Sequence, residues 1–276
     1  MIDREEAFSR GKPRERDVPG HPVRMELSGE TNVGMKRTHN EDNFSIMSEE
    51  NLVIVADGMG GHASGEVASK MAIDAMREFF EATAKDPDAT WPYKMDKQRS
   101  YEENRLITAV KLANLRIFEA AQREPRYRGM GTTLVVCLVV REGIIIGHVG
   151  DSRVYRIRNG AIEQLTEDHS LVNEKIKAGL LTPEEAKNHK LKNIITRSLG
   201  YTEDVEIDIQ VRAVRRGDRY LLCSDGLSNL VDIAEMGETV RALSPQEAAR
   251  KLIQLACEHG GDDNITAIIA RVDEVN

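Results

Sequence analysis

Four times in this sequence an aspartate stands at the end of a short apolar run, in the company of glycine. Asp57 follows Leu52–Ala56 and precedes Gly58; Asp151 follows Ile144–Gly150; Asp225 follows Tyr220–Ser224 and precedes Gly226; Asp263 follows Gly260 and Gly261 and leads into the run that begins near Ile265. One Asp beside one Gly is ordinary turn chemistry. Four of them at strand ends ask for a sheet system whose ends converge, and carboxylates brought together repel unless cations compensate them. Hard divalent ions with oxygen ligands, Mg²⁺ or Mn²⁺, are the natural partners, and glycine lets the backbone approach such an ion closely. A further charged group, Arg37 with Glu41 and Asp42 in RTHNEDN, sets a guanidinium beside carboxylates. Arg binds phosphate in bidentate fashion, so this segment points to an oxyanion substrate as readily as to a surface salt bridge.

The periodicity supplies the frame. Asn43–Met47 and Asn51–Ala56 read as a strand pair. Val67, Ala68, Met71, Ala72, Ala75, Met76 and Phe79 recur at helical spacing, as do Leu106, Ile107, Val110, Ala113, Asn114 and Ile117. Residues 85–100, with Pro87 and Pro92, connect the two as a helical hairpin. From Thr132 the pattern turns to strand: Leu134–Val140, Ile144–Val149, Val154–Ile157 and Ile162–Leu165, the last two joined by the hairpin signal Asn159-Gly160. Val205, Ile207, Ile209 and Val211 alternate as a half-buried strand, Tyr220–Cys223 is another, and Ile265–Val272 is the last. Thr182-Pro183-Glu184-Glu185 and Ser244-Pro245-Gln246-Glu247 are capping-box starts, the second opening a helix to about Glu258. Strands in runs and helices in segregated pairs predict an α+β fold, antiparallel sheets covered by helices.

Composition narrows the function classes. The 276 residues carry 38 Lys+Arg against 46 Asp+Glu, a formal charge of −8, and aromatics are 4%. Neither a basic footprint for nucleic acid nor a stacking platform is present. The apolar runs are too short to span a bilayer, and residues 1–23 have no apolar stretch of a signal peptide; they read as a disordered arm ahead of a domain over 24–276. Cys137, Cys223 and Cys257 have no paired spacing and lie in or beside apolar runs, so they are expected to be buried packing residues in a reducing cytoplasm. The histidines show no paired ligand spacing and are assigned no chemistry.

Taken in order, Arg37-Thr38-His39-Asn40-Glu41-Asp42, Val55-Ala56-Asp57-Gly58-Met59-Gly60-Gly61, Gly131-Thr132-Thr133, Gly150-Asp151-Ser152-Arg153, Ser224-Asp225-Gly226-Leu227 and Asp263-Asn264 resemble the PPM family of metal-dependent (type 2C) protein phosphatases, in its bacterial branch. The resemblance spans roughly residues 25–273. It implies two antiparallel sheets packed as a sandwich between helical pairs. It implies two core ions, Mn²⁺ or Mg²⁺, bridged by Asp57. Asp225 and Asp263 complete one site; the Gly58 carbonyl and, through water, Glu41 serve the other. A third, weaker ion falls to Asp151, the substrate phosphate to Arg37, and support from behind to Asp42 and Asn264. Thr132, Thr133 and Arg153 are expected to hold strands and loops.

The implied reaction is hydrolysis of phosphoserine and phosphothreonine by direct attack of a metal-bridging hydroxide, with no phospho-enzyme. Phosphorylated proteins, and a Ser/Thr kinase whose signalling is opposed, are the implied partners of a monomeric enzyme acting away from membranes and nucleic acid. One departure stands out: Met59 occupies the position where many eukaryotic members carry a His proposed as general acid, and Met has no proton to give. His62 lies nearby, with a loop or helix-entry role as its plainer reading. Residues 168–192 take the place of the family's variable flap. Two other readings are a catalytically dead scaffold, which predicts lost ligands, and a two-metal hydrolase of small phosphoesters.

Overall fold

The computed structural model describes residues 23–60, 64–86, 88–141, 143–187 and 189–275. Residues 1–22 of the expected arm, and His62, lie outside the described residues. In chain order the strands are β1 Val23–Asn32, β2 Asp42–Met47 and β3 Leu52–Met59, followed by helices α1 Ser64–Lys85 and α2 Tyr101–Arg123. Then come β4 Gly131–Thr132, β5 Leu134–Val140, β6 Gly143–Val149, β7 Arg153–Arg158 and β8 Ala161–Gln164. The short helices α3 Leu171–Lys177 and α4 Pro183–Lys187 precede β9 Asp208–Arg212 and β10 Arg219–Cys223. Helices α5 Asp225–Ser228, α6 Ile233–Ala242 and α7 Pro245–Glu258 lead to β11 Ile265–Val275.

Two antiparallel sheets result. One has the order β1-β11-β10-β7-β8, the other β2-β3-β5-β6-β9, with β4 paired to β3. The alternation of strand side chains divides the apolar residues between two faces. Val53, Val55, Val135, Cys137 and Ile146 of the second sheet meet Val154, Tyr220, Leu222, Ile268 and Ala270 of the first in the central layer. The opposite face of the second sheet (Leu52, Ile54, Val136, Ile145) is covered by α1 and α2 through Ala72, Met76, Phe80, Leu106 and Ile117. The opposite face of the first (Tyr155, Leu221, Ile269) is covered by α5–α7 through Leu227, Met236, Leu252 and Ala256. The four-layer α-β-β-α sandwich is as expected.

Local signals operate as read. Ser244 and Glu247 form a reciprocal capping box at α7; a further one, not expected from the sequence, joins Ser100 and Glu103 at α2. Thr182 and Glu185 bond reciprocally at α4. Asn159 and Gly160 both have positive φ, 52° and 81°, as a primed turn requires.

Some expectations are corrected. Val23, placed in the arm, is 2% exposed and begins β1, which pairs along its length with β11. The strand expected from Val205 to Val211 is paired only over Asp208–Arg212. Val205 and Ile207 pack against the α1–α2 layer instead, where Asn114 of α2 donates to the carbonyls of Thr202 and Glu203 and draws the chain out of the sheet. Helix α6, started by the Asp232 side chain accepting from Ala234 N, has no counterpart among the expected elements. Cys137 and Cys223 are buried, and burial pushes both thiols up, Cys223 to about 12; Cys257 is only half-buried.

Candidate active site

The carboxylates gather where strands of both sheets end. Antiparallel pairing sets Asp42 of β2 directly opposite Asp57 of β3. The backbone at Asp57 is pinned: its N–H donates to Thr133 Oγ1 at 3.1 Å, and its carbonyl accepts from Thr133 N and Thr132 Oγ1 at 2.8 and 2.9 Å. Gly58 follows inside the same strand, and a Cβ there would lie 2.1 Å from the Gly65 carbonyl oxygen, so no side chain fits. From the other sheet, β10 delivers Asp225 at the first turn of α5, and the loop before β11 delivers Asp263. Gly226 is as constrained as Gly58, with a Cβ 2.0 Å from the Asn264 carbonyl oxygen. The Asp57 and Asp225 carboxyls are close enough to hydrogen-bond.

The electrostatics are those of crowded like charges. Desolvation, then the charges of Asp42, Asp225, Asp151 and Asp263, hold the Asp57 carboxyl well above its ordinary range. Burial raises Asp42 to about 7 although Thr266 and Ser224 donate to it. Burial and the charges of Asp225 and Asp168 raise Asp151 to about 8, with partial relief from Arg153. Asp225 rises through desolvation and the charge of Asp263, and Glu41 rises mainly through desolvation. Asp42 Oδ1 and Asp151 Oδ1 are buried with no hydrogen-bond partner. An all-oxygen donor set, excess negative charge and two orphaned carboxylate oxygens fit hard divalent cations.

The loop between β1 and β2 forms the rim. Arg37 Nη2 donates to Asp263 Oδ2 at 2.7 Å, with the guanidinium half exposed. Asn264 holds this loop: its Oδ1 accepts from Glu41 N at 2.8 Å, and its Nδ2 donates to the carbonyls of Val33 and His39, each at 2.9 Å. Asp42 Oδ2 accepts from Ser224 Oγ at 2.8 Å and Thr266 Oγ1 at 2.6 Å, tying the two sheets together. Arg153 makes a bidentate pair with Asp168, joining β7 to the start of the flap, and Met59 sits in β3 opposite Gly131.

Sequence reasoning passed over one cluster. His148 of β6, His169 and Asp208 of β9 place three potential ligand atoms within 4.8 Å of one another. No local spacing signals it, because pairing of β6 with β9 and the fold of the flap base bring the residues together. The signal available was the strand alternation, which puts His148 opposite Asp208.

With the geometry established, comparison with known proteins is direct. The protein phosphatase 2C family model matches residues 35–258. The chain is 40% identical over 253 residues to the serine/threonine phosphatase stp of Listeria innocua, covering 89% of this chain and 95% of that protein. It superposes on the serine/threonine phosphatase Stp1 of Staphylococcus aureus with a TM-score of 0.81 at 35% identity, covering 94% of this chain and 99% of that one. The catalytic domain of the serine threonine protein phosphatase PstP, solved in complex with two manganese ions, aligns with a TM-score of 0.75 at 35% identity over 91% of this chain and 99% of that one. The chain belongs to the protein phosphatase 2C family.

Proposed function

We propose that this chain is a metal-dependent protein serine/threonine phosphatase that hydrolyses phosphoserine and phosphothreonine directly, without a phospho-enzyme. The observation that carries the reading is the convergence of Asp42, Asp57, Asp151, Asp225 and Asp263, with mutual charge among the causes that raise the Asp42, Asp57, Asp151 and Asp225 carboxyls, and Arg37 at the rim. The phosphatase names of its relatives and the two manganese ions of PstP support it.

In this reading Asp57 would be shared by two divalent ions, Mn²⁺ or Mg²⁺. Asp225 and Asp263 would complete one site, and the Gly58 carbonyl with Glu41, through water, would serve the other. Asp151 would hold a third ion more weakly, with Asp42 and Asn264 supporting the arrangement from behind. Cations in such a site lower the pKa of water toward neutrality and neutralise phosphoryl charge. Arg37 is placed to meet a phosphate with its planar fork as the substrate enters past Asp263. Met59 offers no acidic proton, so protonation of the leaving alcohol falls to the Asp151 side. Cys137 and Cys223 are no nucleophiles: burial holds both thiols protonated.

The phosphatase domain then begins at Val23, the first residue of β1, with 168–192 as its flap. Its substrates are phosphorylated proteins in the cytoplasm, where it works as a monomer against Ser/Thr kinase signalling. The net charge of −8 disfavours nucleic acid and anionic membrane surfaces as partners, and among the described residues no helix is long and apolar enough to cross a membrane.

The test is a panel of a phosphothreonine peptide, a phosphotyrosine peptide and a nucleotide, each with and without Mn²⁺. Turnover of the phosphothreonine peptide alone, reversibly lost in EDTA, is the expected result. Preference for the nucleotide, or turnover in metal-free buffer, rejects the reading.

A further inference from the structure

The His148, His169 and Asp208 group has no part in the reaction as described, and two chemistries suit it: a cation site, or a hydrogen-bonded support. The protons decide between them. Gly150 N–H donates to His169 Nδ1 at 3.0 Å. A backbone amide is a donor only, so Nδ1 is the acceptor and the ring proton sits on Nε2. From there it donates to Asp208 Oδ2 at 3.1 Å. Arg197 Nη1 lies 3.1 Å from the same Nε2 and 2.8 Å from Asp208 Oδ1. Two donors do not bond each other, so the guanidinium belongs to Asp208. A divalent ion on Nε2 would have to displace the ring proton and sit against the Arg197 charge. Both requirements work against a metal.

The remaining contacts show what the ring supports. His169 uses both polar backbone groups of Gly150: the side chain takes its N–H, and His169 N donates to its carbonyl at 2.8 Å. Gly150 has φ of +109°, a conformation that L side chains rarely adopt, and a Cβ there would lie 2.7 Å from Thr133. This link, which only glycine makes without strain, immediately precedes Asp151. The His169 carbonyl accepts from Thr196 N at 2.8 Å, and Ser170 bridges to Ile195, so the same residue closes the base of the flap. His148 stacks on the ring, with centroids 4.6 Å apart and planes 32° apart. Its position is fixed by pairing with Asp208 and Val135.

We propose that His169 is a positioning residue, a strut that takes its orientation from Asp208 and Arg197 and holds the Gly150–Asp151 link, and with it the Asp151 carboxylate, in register with the site and the flap base. It rests on the reading of Asp151 given above. Groups that orient metal-supporting residues typically account for 10–100-fold in activity or affinity.

The experiment compares wild type with His169→Ala, His169→Asn and Asp208→Asn. It follows amide hydrogen exchange at Gly150, thermal unfolding, and kcat and KM on a phosphothreonine peptide. In His169→Ala the Gly150 amide loses protection, and kcat falls about 10–100-fold with KM within about threefold. His169→Asn, whose Oδ1 can accept the Gly150 N–H, regains amide protection and part of kcat. Should His169→Ala fail to fold, Asp208→Asn at the half-exposed outer end serves in its place, with a roughly threefold to tenfold fall in kcat expected.

Wild-type kcat in His169→Ala below its melting temperature would mean the ring only stabilises the fold, and the strut is wrong. It is equally wrong if Asn performs no better than Ala. A Zn²⁺-binding step in wild type that calorimetry finds missing in Asp208→Asn overturns it in favour of a metal site. If Asp151→Asn is kinetically silent while the Gly150 amide and kcat still respond to His169, the reading of Asp151 fails, and the strut stands only as a support of the Gly150 backbone and the flap base.

Discussion

Asn264 is the residue whose removal separates fold from site most sharply. Its side chain is buried and makes three hydrogen bonds, from Glu41 N and to the carbonyls of Val33 and His39. Asn264→Ala leaves one donor and two acceptors without partners in a loop that carries Arg37 and Glu41. At about 1 kcal/mol per bond the loss is about 3 kcal/mol, more where water cannot reach the orphaned groups. For a domain of this size that corresponds to a fall in Tm of about 6–12 °C. The kinetic effect is expected to be larger than a stability change of that size would suggest at 25 °C, where the variant stays folded. Displacing Arg37 by about 1 Å costs on the order of 100-fold in kcat/KM. Asn264→Asp sharpens the test. It keeps the acceptor for Glu41 N, replaces both donations with a charge facing two carbonyls, and adds negative charge beside Asp263, so it should be at least as damaging as Ala. Thermal unfolding and steady-state kinetics on a phosphothreonine peptide, side by side, decide the matter. A lowered Tm with wild-type kcat/KM would refute the claim that Asn264 acts through the Arg37 loop.

Other outcomes follow from the same geometry. Asp57→Asn, Asp225→Asn or Asp263→Asn should each reduce turnover by orders of magnitude, with calorimetry recording weakened Mn²⁺ binding. Arg37→Ala should lower kcat/KM roughly 10- to 1000-fold, with Lys restoring part because it lacks the planar fork; unchanged kinetics would return Arg37 to its role as the ion-pair partner of Asp263. Asp151→Asn should slow a phosphothreonine peptide more than an activated aryl phosphate, whose leaving group needs no proton, while the tighter Mn²⁺ steps persist in calorimetry; sensitivity to His62→Ala in place of Asp151→Asn would move the acid elsewhere. Asp42 and Asp151 are raised to about 7 and about 8. Their contribution to stability is therefore fully present below the unfolded carboxylate range near 4 and is lost as pH rises through 7 and 8. In EDTA, Tm should fall between pH 5 and 8, and Mn²⁺ should flatten that slope; an equal slope with Mn²⁺ present would contradict cation binding at these carboxylates.

Much of the architecture was legible because it is written in local periods. The strand runs around Leu134–Val149, the two helical faces and the capping boxes at Thr182 and Ser244 depend on neighbours a few residues away. The aspartates at strand ends were legible for a different reason, the repetition of one unusual arrangement. What escaped depends mostly on distant partners. Val23, Met25 and Leu27 alternate with Arg24, Glu26 and Ser28, a period of two that adjoins the polar arm and was passed over with it; the strand is confirmed by its pairing with β11. Val205 and Ile207 alternate like a strand, but Asn114 of α2 captures the preceding carbonyls first. The support given by Asn264 and Asp42 was legible as a resemblance, though not its geometry, since the partners lie more than 180 residues away in sequence. His169 could not be read at all without knowing that the flap folds back on Gly150.

The manner in which Asp42 is satisfied explains why the site sits where two sheets meet. One carboxylate oxygen accepts from Thr266 of β11 and from Ser224, the residue that follows β10 and caps α5, while the other oxygen has no partner; the strand register sets Asp42 opposite Asp57. A single sheet could not supply this. The strand ends of β2 and β3 bring two aspartates side by side, and donors from β11 and from Ser224, just past β10, offset part of the resulting repulsion. The same strands carry Asp225 and Asp263 to the mouth. Contacts that hold the sandwich closed at this end are therefore the contacts that collect the negative charge. Loosening the sheets to relieve the repulsion would break the Asp42 bonds, and keeping them leaves a charge excess that divalent cations are suited to neutralise. If the proposed cations bind here, their binding and sandwich closure at this end would be coupled through Asp42.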